Sequence, residues 1–388
     1  MTLYDFNENA ERFGKNSIKW QLAEKDLDII PAWVADMDFK VFPGLREAIK
    51  NYSEKDFYGY SYQNHSFSDT VLNWFQKEHS YHFHRSSLFF INDVLSGIVT
   101  ALQAFTEVKD AVLINDPVYP AFKKIIEQNN RLVVRNKLIE KNGIFTFDLK
   151  QFEEDIINFQ VKVFILCNPH NPGGRVWDKE TLLSIGIICK KYGVLVISDE
   201  IHQDLTLFGH KHHSFNTVHD DFKNISIILS SPSKTFNMAA FKIAFAIIEN
   251  KLLQNAFQER LLANHQSIST IAYEATEIVY KEGKNWLIEL RSTLEDNINF
   301  VINYFEKHAP KIKVMISQGT YLLWIDFSNY HLSDKELYRI LKYEAKVILN
   351  NGLDFGEMGK GHARLNVATS KNLLKEIVER IVTSLEKI

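Results

Sequence analysis

Lys234 lies just beyond an apolar, β-forming run, Ile225-Ser226-Ile227-Ile228-Leu229, inside the string Ser231-Pro232-Ser233-Lys234-Thr235-Phe236-Asn237. A lysine at a strand's end, flanked by small hydroxyl residues, suits covalent attachment to an aldehyde cofactor. Its ε-amine attacks a carbonyl while neighbouring hydroxyls hold a phosphate. Taken alone, a Ser-x-x-Lys string reads more readily as a solvated loop. The residues at the ends of the chain's other apolar runs decide between the two.

Those runs alternate with helical patterns. Apolar residues at Val94, Leu95, Ile98, Val99, Leu102 and Phe105 predict a helix. Ala111-Val112-Leu113-Ile114 predicts a buried strand stopped by Asp116-Pro117, and Pro120 to Asn129 a short helix. Strands are expected at 132–134, 161–167, 194–197 and 243–248, with a helix over Lys179 to Tyr192. Two long helical patterns come next, near 252–281 and 285–307. A mixed tail ends in a helix over 373–388 that puts Leu374, Ile377, Ile381 and Leu385 on one face. Repeated β–α–β order with near-continuous apolar strands predicts an α/β fold, a mainly parallel sheet between helices. A large domain is expected over 46–284 and a smaller α/β domain over 285–388, joined by an irregular N-terminal segment, 1–45. No repeat, low-complexity stretch or Gly/Ser linker is visible, so the domains are expected to be packed together.

With 388 residues, 45% hydrophobic and 24% charged, the chain can bury a large core. A net charge of −3 gives no electrostatic case for nucleic acid or an anionic membrane surface. Cys167 and Cys189 sit in apolar surroundings and read as buried thiols of a reducing compartment. The stretch Met1-Thr2-Leu3-Tyr4-Asp5-Phe6 lacks a signal-peptide pattern, and no apolar run approaches the ~18 residues of a membrane span. A cytoplasmic protein is expected.

In such sheets ligands sit beyond the carboxyl ends of the strands. Those ends carry Asp116-Pro117-Val118-Tyr119, Asn168-Pro169-His170-Asn171, Ser198-Asp199-Glu200-Ile201-His202, and Ser230 to Lys234. They bring together a lysine, carboxylates, amides, an aromatic ring and hydroxyls. Pyridoxal phosphate is the cofactor that uses all of these.

With those motifs in view, the chain resembles the fold-type-I pyridoxal-phosphate enzymes. More narrowly, it resembles the MalY/PatB group of cystathionine β-lyase-like carbon–sulfur lyases. The likeness runs over nearly the whole length. It rests on Trp33-Val34-Ala35-Asp36-Met37-Asp38-Phe39, Tyr58-Gly59-Tyr60, Cys167-Asn168-Pro169-His170-Asn171-Pro172, Ser198 to His202, Ser231 to Asn237, and Gly361-His362-Ala363-Arg364-Leu365-Asn366.

The resemblance implies a role for each matched residue. Lys234 holds the cofactor as a Schiff base and, once freed, removes the substrate's Cα proton. Asp199 pairs with the pyridine nitrogen, Asn171 bonds the phenolic oxygen and Tyr119 stacks on the ring. Asn168 reads instead as a turn residue. His202 either faces the phenolic oxygen or only packs beside the cofactor, and His170 is a weaker candidate still. The phosphate is expected at the helix N-terminus near Val94 and Leu95, with Ser231, Ser233 and Lys242 around it. Arg364 fits an amino-acid α-carboxylate, with backbone N–H groups near Ala35 and Asp36 completing that pocket. Tyr60 reaches the phosphate of a second subunit, which implies a homodimer with shared sites. Two stretches depart from the group's pattern. Asn92-Asp93 puts a carboxylate beside the expected phosphate, tolerable where it points away as a helix cap, and Ala240-Phe241 replaces the usual Gly-Leu.

The implied reaction is α,β-elimination of L-cystathionine or a related cysteine S-conjugate, giving a thiol, pyruvate and ammonia. An aminotransferase of the same fold would use the same lysine, aspartate and arginine. A regulatory protein-binding role is a further alternative. Two histidine groups, His79, His82, His84 and His210, His212, His213, lack a Cys or acidic frame and read as solvated loop residues, not metal ligands.

Overall fold

The computed structural model describes residues 3–59 and 65–388. An eight-stranded sheet forms its centre. In spatial order its strands are Leu88–Ile91, Ala244–Ile247, Ser226–Ser230, Leu195–Asp199, Val163–Cys167, Ala111–Asp116, Leu132–Lys141 and Ile144–Phe147. The five from Ser226–Ser230 to Leu132–Lys141 are mutually parallel, and the flanking three pair antiparallel. The mainly parallel sheet expected from the β–α–β order is therefore present.

Strand alternation divides the core. Val112, Ile114, Ile165, Ile197 and Ile227 pack on one face, with residues of the helices Val94–Phe105, Pro120–Gln128 and Lys251–Ala263. Leu113, Phe164, Leu166, Val196 and Ile228 pack on the other, in the larger apolar cluster. A strand covered on both faces has no reason to alternate polar with apolar residues, hence the unbroken apolar runs.

Two local expectations are corrected. The strand begun at Leu132 continues to Lys141 and turns into Ile144–Phe147. Its polar members, such as Asn136 and Lys137, hid it. The pattern near 252–281 is two helices, Lys251–Ala263 and Thr270–Glu282, broken where His265 adopts φ +49°. The strand Ala244–Ile247, beside the lysine motif, runs antiparallel to its neighbour.

The helix Lys284–His308 leads to a four-stranded antiparallel sheet: Lys313–Val314, Leu322–Asp326, His362–Asn366 and Asn350–Asn351. Ile30–Pro31 pairs in parallel with Val347–Ile348. From there the N-terminal segment crosses to the lysine motif, where the Asn237 side chain exchanges two 2.9 Å hydrogen bonds with the backbone of Met37. Among the described residues no helix is long and apolar enough to cross a membrane.

Candidate active site

A cavity lies beyond the carboxyl ends of the parallel strands, where the chain order reverses direction across the sheet. Lys234, Asp199, Asn171, His202, Tyr119, Ser231, Ser233, Val94, Leu95, Lys242 and Ala35 all line it. Four separate strand ends thus deliver their side chains to one place. Tyr60 lies outside the described residues.

Lys234 stands on a one-turn helix, Pro232–Thr235, capped by Ser231. Its Nζ donates to the carbonyl oxygen of Ala35 at 2.7 Å. Burial lowers its pKa to about 8, an effect that the charges of Asp36 and Asp199 oppose. Roughly a tenth of the amine is then neutral and nucleophilic at pH 7, far more than for an unshifted lysine.

Asp199 ends its strand fully buried, and burial raises its carboxyl to about 7 despite a hydrogen bond from Ile201 N–H and the charge of Lys234. Among the described residues only its Oδ1 has a hydrogen-bond partner, at 3.1 Å. A buried carboxylate with an open oxygen calls for a cationic donor in the cavity. Asn171 is oriented by Arg364, whose Nη1 donates to Oδ1 at 2.7 Å, leaving the amide N–H2 as a donor. His202 is buried, and its Nδ1 has no partner among the described residues. Burial and the charges of Lys234 and Arg364 take its pKa down to about 3, so the ring is neutral. Burial keeps the Tyr119 hydroxyl protonated.

At the other end of the cavity Asp93 caps the helix Val94–Phe105, accepting from Ser96 N–H at 2.8 Å, and its Oδ2 lies 3.1 Å from Lys242 Nζ. The carboxylate does cap the helix, but it does not point away: it lines the cavity beside Lys242. Lys242 follows the turn Ala239–Phe241 with φ +53°. Ser231 Oγ is 2.7 Å from the Ile243 carbonyl and 2.9 Å from Ser233 Oγ, so its proton is already engaged.

This donor set fits pyridoxal phosphate. An acid answers a ring N–H, an amide donor answers a phenolate, an amine answers an aldehyde, and a helix N-terminus with a lysine answers a phosphate.

Arg364, like Asp36, is not among the residues that line the cavity, but it bonds directly to Asn171, which does line it. Its guanidinium is buried and also donates to Trp33 O at 2.8 Å and Asn350 Oδ1 at 2.6 Å. Asp36 is engaged by Arg12 at 2.6 Å. Neither the Ala35 nor the Asp36 amide N–H has an acceptor among the described residues, so both remain able to bind a carboxylate. Asn168 and His170 are structural: Asn168 Nδ2 donates to His213 O at 3.0 Å, and a buried His170 ring bonds Pro117 O at 3.0 Å.

The solvated reading of the histidines is wrong for two of them. His79 Nε2 lies 2.7 Å from Asp204 Oδ1, and His212 Nε2 lies 2.9 Å from Glu200 Oε2, both buried. Among the described residues no group of three or more His, Cys, Asp or Glu could hold a metal. Sequence reasoning also missed Cys167, which lines the cavity, and Tyr321, whose hydroxyl shares the Ala35 carbonyl with Lys234. Cys167 was readable as the last residue of a strand aimed at the site. Tyr321 lies on a distant stretch that no local pattern ties to it.

The profile of the family "Aminotransferase class I and II" matches residues 28–381. The chain belongs to that family. Cystathionine beta-lyase PatB of Bacillus subtilis is 38% identical over 385 residues, spanning 98% of this chain and 100% of its own. Protein MalY of Escherichia coli is 29% identical over 394 residues and the full length of both chains. The crystal structure of cystalysin from Treponema denticola, which contains pyridoxal 5'-phosphate, has a TM-score of 0.96 at 31% identity, with 100% of both chains covered. The fold-type-I architecture follows from these likenesses and from the sheet.

Proposed function

We propose that the chain is a pyridoxal-phosphate-dependent carbon–sulfur β-lyase that eliminates the thiol from L-cystathionine or a related cysteine S-conjugate. The observation that supports the cofactor is Lys234 and the open buried carboxylate of Asp199 lining one cavity. Relatives named as cystathionine β-lyases supply the reaction class. Bound pyridoxal phosphate supplies an electron sink for the pair left at Cα when its proton is removed.

The chain's own residues do the rest. Lys234 anchors the cofactor, then takes the Cα proton. Asp199 holds a proton on the ring nitrogen. Asn171 would donate to the phenolic oxygen, Tyr119 would stack on the ring, and a neutral His202 would pack beside it. The amides of Val94 and Leu95, with Ser233 and Lys242, hold the phosphate, while Ser231 shapes the turn. Arg364 and the amides of Ala35 and Asp36 would bind the substrate carboxylate, leaving the Cα proton to Lys234. A cytoplasmic homodimer in which Tyr60 completes the partner's phosphate site belongs to the same reading.

The test is an absorption spectrum of the purified protein before and after L-cystathionine, with pyruvate followed in the same cuvette. A visible cofactor band that shifts as pyruvate appears supports the reading. The same band with no pyruvate from any β-substituted cysteine, and a new amino acid on adding a 2-oxo acid, would replace it with an aminotransferase.

A further inference from the structure

We propose that Asp93 sets the affinity of the phosphate subsite: its carboxylate holds Lys242 until a phosphorylated ligand takes Lys242 from it. The inference rests on the cofactor site proposed above.

The phosphate end of the cavity already contains an anion. Asp93 and Lys242 both line it, beside Val94, Leu95 and Ser233. A helix N-terminus attracts negative charge through its unpaired N–H groups. Here Asp93 supplies that charge from within the chain, with Oδ1 on Ser96 N–H at 2.8 Å and Oδ2 on Lys242 at 3.1 Å. The carboxylate is held in this pose. Ser96 Oγ accepts the Asp93 N–H at 3.1 Å and lies 3.2 Å from Gln266 Oε1, which also accepts the Asn92 N–H at 3.2 Å. Swinging away would cost the helix its cap.

An arriving phosphate therefore meets two opposed effects. It gains the helix terminus and Lys242, but it sits beside a fixed carboxylate that has a prior hold on the lysine. Part of the attraction is spent in breaking the Asp93–Lys242 pair. The site binds phosphate more loosely than its residues would if position 93 were neutral. An uncharged analogue lacking the phosphate has no such competition.

Asp93→Asn is the clean probe, because asparagine caps a helix as well as aspartate while removing the charge. Cofactor retention is measured by ultrafiltration and absorbance for wild type, D93N, K242A and the double variant, with pyridoxal as the unphosphorylated comparison. D93N is expected to tighten pyridoxal phosphate roughly two- to fivefold, the scale of a partly exposed charge interaction. K242A weakens it, pyridoxal is unmoved by D93N, and the D93N gain falls by about half or more in the K242A background. The proposal is overturned if D93N leaves pyridoxal phosphate unchanged or weaker, if pyridoxal gains equally, or if the gain is undiminished without Lys242. A wild type that retains cofactor alongside an indifferent D93N removes only the role of Asp93. A wild type that retains none removes the proposed function and this inference together.

Discussion

Nη1 of Arg364 donates to Oδ1 of Asn171, a residue of the cavity lining, across 2.7 Å. One guanidinium thereby fixes the amide proposed for the cofactor while bridging to Trp33 and Asn350 on two other segments. On the proposed reading, carboxylate recognition and cofactor orientation share this residue, so a change at Arg364 should disturb both.

Arg364→Lys should impair both roles, substrate binding the more. A lysine cannot reproduce three directed hydrogen bonds from a planar fork. KM for L-cystathionine is expected to rise about tenfold or more, with a smaller fall in kcat as Asn171 loses its orientation. Steady-state pyruvate release checks this. A normal KM would remove Arg364 from substrate binding.

Lys234, lowered to about 8 by burial, becomes increasingly neutral as pH rises through that value. The rate at which cofactor-free protein takes up pyridoxal phosphate should therefore climb from pH 7 to 9 and level off above, as stopped-flow absorbance would record. Lys234→Ala should cut pyruvate formation by roughly 10²–10⁴-fold or more, the scale of losing a positioned acid–base group.

Asp199 gives a stability prediction of definite sign. Its folded pKa, about 7, lies above the ordinary carboxylate value, so the folded state holds the extra proton. The associated stability is complete below the unfolded pKa and is lost as pH rises through about 7. Cofactor-free Asp199→Asn should thus melt higher than wild type at pH 8, with the difference vanishing near pH 4. The same variant should lose most of its lyase activity, because nothing then keeps a proton on the ring nitrogen.

These residues were legible for a physical reason. A parallel strand buried on both faces is an apolar run, and its carboxyl end is where polar residues resume. Tyr119, Asn171, Asp199 and Lys234 are all found by reading that change along the chain. Features that do not depend on local order stayed hidden. The Leu132–Lys141 strand is half exposed and mixes polar with apolar residues, so only its first part stood out. His79 and His212 lie in polar stretches, yet each is buried by a carboxylate from elsewhere: Asp204 and Glu200. Tyr321 meets Ala35 from 286 residues away. Tertiary packing decides such pairings.

Asp204 is the strongest case of that hidden order. Its buried carboxylate accepts from Trp74 Nε1 at 3.1 Å and Thr235 Oγ1 at 2.7 Å, and faces His79 Nε2 at 2.7 Å. Thr235 is the neighbour of Lys234, so this network clamps the turn that carries the lysine. Burial pushes the Asp204 carboxyl up, but His79, Thr235 and Arg291 together bring it below the ordinary range. Stability from such a group is present above the unfolded pKa and is lost as pH falls through the folded one. Asp204→Ala strands a buried histidine, indole and hydroxyl, and should cost about 3–5 kcal/mol at pH 7 in urea unfolding. The deficit should shrink as pH falls below the ordinary carboxylate range and through the lowered folded pKa, where the wild-type carboxyl becomes protonated too. Asp204→Asn keeps an acceptor for the indole and should cost only about 1–2 kcal/mol. An Asp204→Ala protein as stable as wild type at pH 7 would mean that the clamp beneath Lys234 contributes nothing to the fold.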